Sequence, residues 1–427
     1  MLNAQQNEML TRTGPGTKMG DLMRRYWIPA LLASELPEAD CPPVRVGLLS
    51  EKLLAFRDTA GKVGLISEFC AHRGVSLWFG RNEEHGIRCP YHGWKYDTNG
   101  QCVEVPSETK ESGYCDRIKL KSYPVVERGG VIWAYMGPAD RQPPLPAFEW
   151  VDLPDSHRYL SKRFQESNWL QALEGGIDSS HVSFLHRGEL DTDPLHRNTQ
   201  GAKYARSTNT VFDIMESDGG LVIGAKRDAE PGMNYWRLTQ WMMPWYTLIP
   251  PYGGGHALNG HAWVPIDDEN CVAWTMTFHP NRPLSSDEIN AMKNGQGVHC
   301  DLIPGTFRPV ANRDNDYLMD RAAQKSGRYY SGIKGLAIQD ASLQESMGPI
   351  ADRSVENLVS TDNAILMARQ RLFKAIRDND QGKPVPGTER EHQQQRSASF
   401  LLPVGVDFRE KAADAVLVRP GEPHVAV

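Results

Sequence analysis

Along the first third of the chain, apolar and polar positions alternate in short runs broken by turn residues. Val44 to Leu49 and Lys52 to Arg57 alternate or run apolar, Asp58-Thr59-Ala60-Gly61 reads as a turn, and Val63 to Ile66 follows. Asn99-Gly100, between Tyr96 and Val103, is a strong hairpin signal. Arg128-Gly129-Gly130 introduces a further apolar run, Val131 to Met136. Ahead of these strands, Gly14-Pro15-Gly16 ends a short helix, and Met19 to Tyr26 gives a second turn or two. The pattern predicts an N-terminal helical segment over 1–24 and a small antiparallel β domain over 25–140.

Gly137-Pro138 and Pro143-Pro144-Leu145-Pro146 read as a linker. The elements beyond it are longer. Asn168 to Leu185 has helical spacing. Thr208 to Ile214, Gly220 to Lys226, Tyr235 to Met243, His256 to Val264 and Val272 to His279 read as strands. Ser285 to Asn294 is a helix opened by a Ser cap with Asp287 and Glu288 behind it, and Thr361 to Asp378 is a long helix. Residues 141–427 therefore form a second domain of antiparallel sheet and packed helices. The fold class is α+β, with an N-terminal antiparallel β domain and a C-terminal sheet-and-helix domain.

Composition narrows the function classes. With 427 residues, 40% apolar and 23% charged, the chain has the make-up of an ordinary globular protein with room for two cores. Its net charge of −6 gives no footprint for nucleic acid or an anionic membrane. No apolar run approaches the roughly eighteen residues that span a bilayer. The start, Met1 to Leu10, is polar, so a cytoplasmic location is expected. Seven Cys is an odd count, and Cys41, Cys102, Cys115, Cys271 and Cys300 show no pairing rhythm. They read as free thiols in a reducing compartment.

The remaining two Cys carry chemistry. Cys70-Ala71-His72-Arg73-Gly74 is followed by Cys89-Pro90-Tyr91-His92-Gly93-Trp94. Each short loop offers one thiolate and one imidazole. That is a full ligand set for a two-iron, two-sulfur centre in which one iron has His in place of Cys. Gly74 and Gly93 suit the tight turns that bring loops close to inorganic sulfide, and Pro90 stiffens its loop. The alternative on spacing alone is a structural Cys2His2 zinc site, although zinc sites usually group their Cys together.

A second constellation follows in Glu174-Gly175-Gly176-Ile177-Asp178-Ser179-Ser180-His181-Val182-Ser183-Phe184-Leu185-His186. Glu174, Asp178 and His181 share one helix face at i, i+4 and i+7. His186 misses that face, so the run needs a helix end or a π-bulge there. Two His and a carboxylate with the other positions open make the facial triad of non-haem iron(II) oxygenases. The structural alternative is a pair of helix His satisfied by hydrogen bonds.

Together these motifs resemble the Rieske non-haem iron ring-hydroxylating oxygenases, specifically their oxygenase (alpha) component in the phthalate and benzoate branch. The likeness extends over most of the chain, through Thr11 to Met19, Met23 to Ala30, Tyr235 to Tyr246, His261 to Asp268 and Gln344 to Ile350. The resemblance implies a Rieske [2Fe-2S] cluster on Cys70, His72, Cys89 and His92, and a mononuclear Fe(II) on His181, His186 and a distant acid. Asp362 stands at the matching place, with Asp340 and Asp352 the nearest rivals. Asp178 would bridge a cluster His of one subunit to an iron His of its neighbour. The family also implies a separate NADH-dependent reductase with flavin mononucleotide and a plant-type [2Fe-2S] centre, and a homotrimer or stacked trimers. No Gly-rich dinucleotide fingerprint follows a strand here, in keeping with nicotinamide binding elsewhere.

The implied activity is cis-dihydroxylation of an aromatic carboxylate such as phthalate by dioxygen. An aromatic acid needs an apolar slot and a cation for its carboxylate. Tyr235, Arg237, Thr239 and Trp241 share a strand face, so Arg237 is the first candidate clamp and Arg206 the second. Trp169, Phe184 and Met243 are candidate lining residues, each with a plain core role as its alternative. The iron motif leaves open a monooxygenase, an O-demethylase or a dioxygenase for another substituted benzoate. An electron carrier or zinc-held binding module would need only the first domain.

Overall fold

In the computed structural model, which describes residues 1–109 and 111–427, the chain divides into two compact units. One is Thr13–Leu145. The other joins Met1–Arg12 to Pro146–Val427.

The 13–145 unit is built from ten short strands: β1 Trp27–Leu32, β2 Val44–Leu48, β3 Glu51–Arg57, β4 Val63–Ser67, β5 Arg81–Glu83, β6 Gly86–Arg88, β7 Lys95–Tyr96, β8 Cys102–Glu104, β9 Val125–Arg128 and β10 Val131–Tyr135. They form three antiparallel sheets ordered β1-β10-β9, β2-β3-β4 and β5-β6-β7-β8. The run Leu53 to Phe56 is apolar without alternation because β3 is central and buried on both sides. Its Leu54 and Phe56 pack with Ile66, Leu77, Ile87 and Tyr96 in one core, which also takes in the thiols of Cys70 and Cys89. Asn99-Gly100 does turn the chain between β7 and β8. Gly100 has φ +75°, and a Cβ there would lie 2.3 Å from the Leu120 carbonyl oxygen.

The boundaries expected at 24/25 and 140/141 move for a physical reason. The helix Ala4–Thr11 belongs to the larger unit, where Asn7 Nδ2 donates to the Ala351 carbonyl and Asn7 Oδ1 accepts from Arg353, each at 3.0 Å. The helix Lys18–Met23 stays with the smaller unit. Arg24, just after it, donates to the carbonyls of Thr13 and Leu49 and to Glu51.

The larger unit carries eight strands: β11 Arg158–Gln165, β12 Val211–Ser217, β13 Gly220–Asp228, β14 Met233–Met242, β15 Tyr246–Ile249, β16 Leu258–Pro265, β17 Cys271–Phe278 and β18 Ala398–Pro403. They form one antiparallel sheet ordered β11-β17-β16-β15-β14-β13-β12, and β18 pairs with the first half of β14 where β15 does not reach. One face of β14 packs Trp236 flat on Phe408 of the helix Phe408–Ala415, ring centroids 4.4 Å apart. By alternation, Tyr235, Arg237 and Thr239 point the other way.

Against that side lies the helix Trp169–Ile177, and its two glycines explain how closely. A Cβ on Gly176 would sit 2.1 Å from the Trp263 ring of β16. One on Gly175 would sit 2.3 Å from Gln344 Nε2 on the helix Leu336–Ser346. Glu174 ties this helix down from within. Its buried carboxylate accepts hydrogen bonds from Arg353 and Arg369, themselves 1% and 3% exposed. Glu174 is thus a structural anchor.

The helix expected over Asn168 to Leu185 stops early. It ends at Ile177, and Asp178 has extended backbone with φ −84° and ψ 112°. Asp178 Oδ1 accepts the Ser180 N–H at 2.7 Å and the Ser180 hydroxyl at 2.6 Å. Local side-chain bonding of this kind competes with helix continuation. The expected helices near 285–294 and 361–378 are Ser286–Lys293, with a Ser285/Glu288 capping box, and Asn363–Asp380. Strands β1, β11, β15 and β18 and the helix Leu336–Ser346 add to the sequence reading. No helix among the described residues is long and apolar enough to cross a membrane.

Candidate functional site

The two Cys–His loops of the smaller unit close in the same way. The Cys70 N–H donates to the Val75 carbonyl (2.8 Å) and the Gly74 N–H to the Cys70 carbonyl (2.9 Å). In the second loop, the Cys89 N–H donates to the Trp94 carbonyl (2.8 Å) and the Gly93 N–H to the Cys89 carbonyl (3.0 Å). Both closures require left-handed backbone, supplied by Gly74 at φ +73° and Gly93 at φ +75°.

The loops bury their sulfurs and expose their imidazoles. Cys70 and Cys89 are in the core, while His72 and His92 are exposed with ring centroids 4.5 Å apart. His72 stacks on Trp94 at 4.6 Å and 4°. Tyr96 Oη lies 3.2 Å from Cys70 Sγ. Burial pushes the Cys89 thiol up, and the adjacent Cys70 sulfur adds to that, while the N–H groups of Tyr91 and His92 act against it. Two neighbouring interior sulfurs backed by N–H donors, with two imidazoles on the outside, fit a [2Fe-2S] centre with Cys on its inner iron and His on its outer iron.

The larger unit holds the second donor set. His181 Nε2 and His186 Nε2 face each other at 3.1 Å. Asp340 Oδ1 lies 3.5 Å from the first and 3.2 Å from the second. The other ring nitrogens are committed. His181 Nδ1 faces Asp178 Oδ2 at 3.3 Å, and His186 Nδ1 donates to Gln339 Oε1 at 2.8 Å. Gln339 Nε2 in turn donates to the Ile333 carbonyl, which fixes its Oε1 as the acceptor. Both Nδ1 atoms therefore carry the proton, and both Nε2 lone pairs point at the same place as a carboxylate. Three acceptors converging in this way repel one another unless a cation sits among them. Two His and one Asp are the facial set suited to non-haem iron.

These donors border a cavity between the 169–177 region and the sheet. Arg237 and Thr239 of β14, Ile249 of β15, and Asn259, His261 and Trp263 of β16 form its floor. Arg237 is 1% exposed, its Cζ is 4.0 Å from the Tyr252 ring centroid, and its Nη2 donates to the Pro250 carbonyl at 3.3 Å. Its Nε and Nη1 have no hydrogen-bond partner.

Several sequence expectations are corrected here. Asp362 is not among the converging donors. It stands half-buried just before the helix Asn363–Asp380, where its Oδ2 accepts the Val359 N–H at 2.7 Å. Asp340 takes its place. Asp352 is exposed and bonds to Ser354. Arg206 is ion-paired with Asp191 and does not line the cavity. Trp169 and Met243 are plain core, and Phe184 lies on an outer apolar groove. Gln339 and Asn259 were not singled out by the sequence. Gln339 had one available signal, an amide that follows three apolar residues and precedes an acid in Leu336-Ala337-Ile338-Gln339-Asp340.

Comparison with known proteins agrees with both halves of this geometry. The Rieske [2Fe-2S] domain family matches residues 26–124, and the family described as LigXa C-terminal domain like matches residues 134–422. The 3-chlorobenzoate-3,4-dioxygenase oxygenase subunit of Comamonas testosteroni is 39% identical, covering 96% of this chain and 97% of that protein. The phthalate 4,5-dioxygenase oxygenase subunit of Pseudomonas putida is 34% identical, covering 97% and 95%. Among solved structures, dicamba monooxygenase bound to dicamba shares the fold, with a TM-score of 0.57 at 19% identity over 84% of this chain and 99% of that one. The chain belongs to the Rieske ring-hydroxylating oxygenases as an oxygenase (alpha) subunit, in a family that pairs a [2Fe-2S] cluster with a mononuclear non-haem iron.

Proposed function

We propose that this subunit cis-dihydroxylates an aromatic carboxylate of the benzoate or phthalate type. The reaction consumes the aromatic acid, dioxygen, NADH and a proton, and yields the cis-dihydrodiol and NAD⁺. The observation that carries this reading is one cavity bordered both by His181, His186 and Asp340 and by a buried Arg237 whose Nε and Nη1 have no hydrogen-bond partner. A buried guanidinium without a counter-charge is costly unless a ligand anion completes it. The names of the two relatives above, both oxygenases of aromatic acids, favour the same class.

Iron held by His181, His186 and Asp340 would supply dioxygen activation, and a cluster held by Cys70, His72, Cys89 and His92 would supply the electrons. The protein's own residues do the rest. Arg237 holds the carboxylate at one end, while Ile249, Trp263, Val298 and Leu336 give the ring apolar walls. Asp178 and Gln339 fix the two imidazole tautomers. Electrons come from a separate protein, which we assign as an NADH-dependent reductase with flavin mononucleotide and a [2Fe-2S] centre. The enzyme works in the cytoplasm.

A head-to-tail trimer, single or stacked, is supported by two surfaces. On the smaller unit, exposed Phe69, Trp78, Phe79 and Tyr91 accompany the exposed cluster histidines. On the larger, an apolar groove bordered by Phe184, Tyr330 and Leu343 reaches His181. In that arrangement Asp178 bridges the iron ligand His181 to a cluster His of the next subunit.

The test supplies the holoenzyme with reductase, NADH, ¹⁸O-labelled dioxygen and a panel of aromatic acids. Two labelled oxygens in a cis-diol support the reading. One labelled oxygen, or loss of a methyl group as formaldehyde, replaces it with monooxygenation or O-demethylation.

A further inference from the structure

Asn259 of β16 is a Cα partner both of Ile249 on β15 and of Thr277 on β17, so the three share one row of the sheet. A hydrogen-bond chain reaches Asn259 along that row. The Thr277 hydroxyl donates to Asn259 Oδ1 at 2.6 Å. A hydroxyl has one proton, so Thr277 must accept from His299 Nε2, 2.9 Å away. His299 Nδ1 is then left to accept the Ser161 hydroxyl at 2.7 Å. Burial holds His299 neutral, with its pKa at about 3, as this arrangement requires. The chain spends Oδ1 and leaves the Asn259 amide N–H₂ with no partner among the described residues, on a residue that lines the cavity.

His196 stands in the same wall. It is 5% exposed, and its Nε2 is buried without a hydrogen-bond partner. Both residues also line a smaller recess beside the main cavity, bounded by His256, Thr277 and Met292. A half-buried amide N–H₂ without a protein partner and a buried, unpartnered ring nitrogen line one cavity, and together they mark a place where a ligand atom completes the bonding.

The charge of that ligand atom follows from what else lines the cavity. Among the described lining residues, Arg237 is the one Arg or Lys. Arg227, the other buried guanidinium nearby, donates to the Ser179 carbonyl and lies outside the lining. Arg206 is paired with Asp191 and lies outside the lining. Of the two lining acids, Asp340 belongs to the iron donor set and Asp178 bonds His181 and Ser180, so neither offers a partner to an anion. One carboxylate has a guanidinium partner among the described lining residues, and a second finds no other Arg or Lys there.

We propose that the substrate is an aromatic monocarboxylate bearing an uncharged hydrogen-bonding ring substituent, a hydroxyl or ether oxygen, and that Asn259 and His196 recognise that oxygen. This rests on the aromatic-acid reading above and narrows it away from the dicarboxylate phthalate and from halogen-substituted acids. A site built to hydrogen-bond a substrate group discriminates strongly against analogues lacking it, because its own polar atoms are then left unpaired.

The test compares benzoate, 3-hydroxybenzoate, 4-hydroxybenzoate, 3-methoxybenzoate, 3-chlorobenzoate and phthalate with the holoenzyme and its reductase. It measures kcat/KM with each acid and, separately, binding by titration calorimetry. A hydroxy- or methoxybenzoate is expected to lead 3-chlorobenzoate and phthalate by roughly ten-fold or more. In Asn259→Leu that lead should collapse. Asn259→Asp keeps the size and the Thr277 contact but replaces the N–H₂ donor by an acceptor, and it should lose the lead of 3-methoxybenzoate, whose ether oxygen cannot donate. Phthalate or 3-chlorobenzoate as the best substrate would overturn the substituent proposal and leave the aromatic-acid reading standing, as would an equal loss on all six acids in both variants. A wild-type enzyme that neither binds nor consumes any of the acids removes that reading, and this proposal with it.

Discussion

Gln339 and Asp340, consecutive residues of one helix, take His186 from opposite ends of its ring. Gln339 Oε1 accepts from Nδ1 at 2.8 Å, and Asp340 Oδ1 lies 3.2 Å from Nε2. The amide is itself locked by the Ile333 carbonyl, so its oxygen cannot turn away. Replacing Gln339 by Leu frees the imidazole to rotate or to change tautomer. Such outer partners are worth about 10–100-fold in metal affinity. Purified Gln339→Leu should carry less mononuclear iron per chain while keeping the visible spectrum of the cluster. Equal iron in both proteins would remove Gln339 from this role.

The acid that completes the iron set can be tested by a paired substitution. Asp340→Asn should lose the mononuclear iron and the activity. Asp362→Asn keeps an oxygen able to accept the Val359 N–H and removes only a negative charge at a helix start, so it should cost under about 1 kcal/mol with iron retained. Iron analysis and thermal denaturation of the two variants decide between them. The opposite pattern would restore Asp362 as the ligand.

Arg237→Ala should raise the KM for the aromatic acid by roughly ten- to a hundred-fold, the usual worth of a charge-assisted bond. The cluster spectrum should not change. Saturation behaviour identical to wild type would take Arg237 out of the substrate site.

Glu174 is a stability residue. Its carboxylate lies between Arg353 and Arg369, and burial works to raise its pKa while the two guanidiniums hold it below the ordinary range. Glu174→Gln leaves the buried Arg353 without a carboxylate, while Arg369 keeps Glu356, and should cost about 3–5 kcal/mol. Denaturant unfolding of the holoenzyme measures the loss.

His299 adds a pH dependence of known sign. Burial, with a smaller contribution from His261, lowers its folded-state pKa to about 3. An unfolded chain takes up the proton near pH 6.5. Stability is therefore full above about pH 6.5 and falls as the pH drops towards 3, by about 2 kcal/mol at pH 5 for this one group. Between pH 7.5 and 5 the melting temperature of wild type should fall further than that of His299→Gln. Parallel curves would show that His299 is not held neutral.

Much of this could be read from the chain because the informative residues are contiguous. The cluster loops carry their ligands and their left-handed glycines within five or six residues, so no tertiary knowledge is needed. His181 and His186 are likewise close in sequence. Their acid is not, and the helix bearing it gave little sign of itself. Leu336, Ala337, Ile338, Gln339, Ala341, Ser342, Gln344 and Glu345 are all buried, so that helix shows no polar face and no 3.6-residue period. Asp362 drew attention through the family pattern, yet a carboxylate before a helix is accounted for by the helix start alone. The end of the helix at Ile177 was half-visible. The spacing of His186 demanded a break, and the Asp178–Ser180 bonds show where it falls.

The row of cavity-facing side chains on β14, β15 and β16 has an evolutionary consequence. Each of these strands is paired on both flanks, so the ladder does not depend on which side chain projects from Arg237, Thr239, Ile249, Asn259 or His261. Single exchanges at these rungs can change what the cavity accepts without altering His181, His186 or Asp340, none of which stands on these strands. A lineage built this way can change its aromatic ligand in small inherited steps.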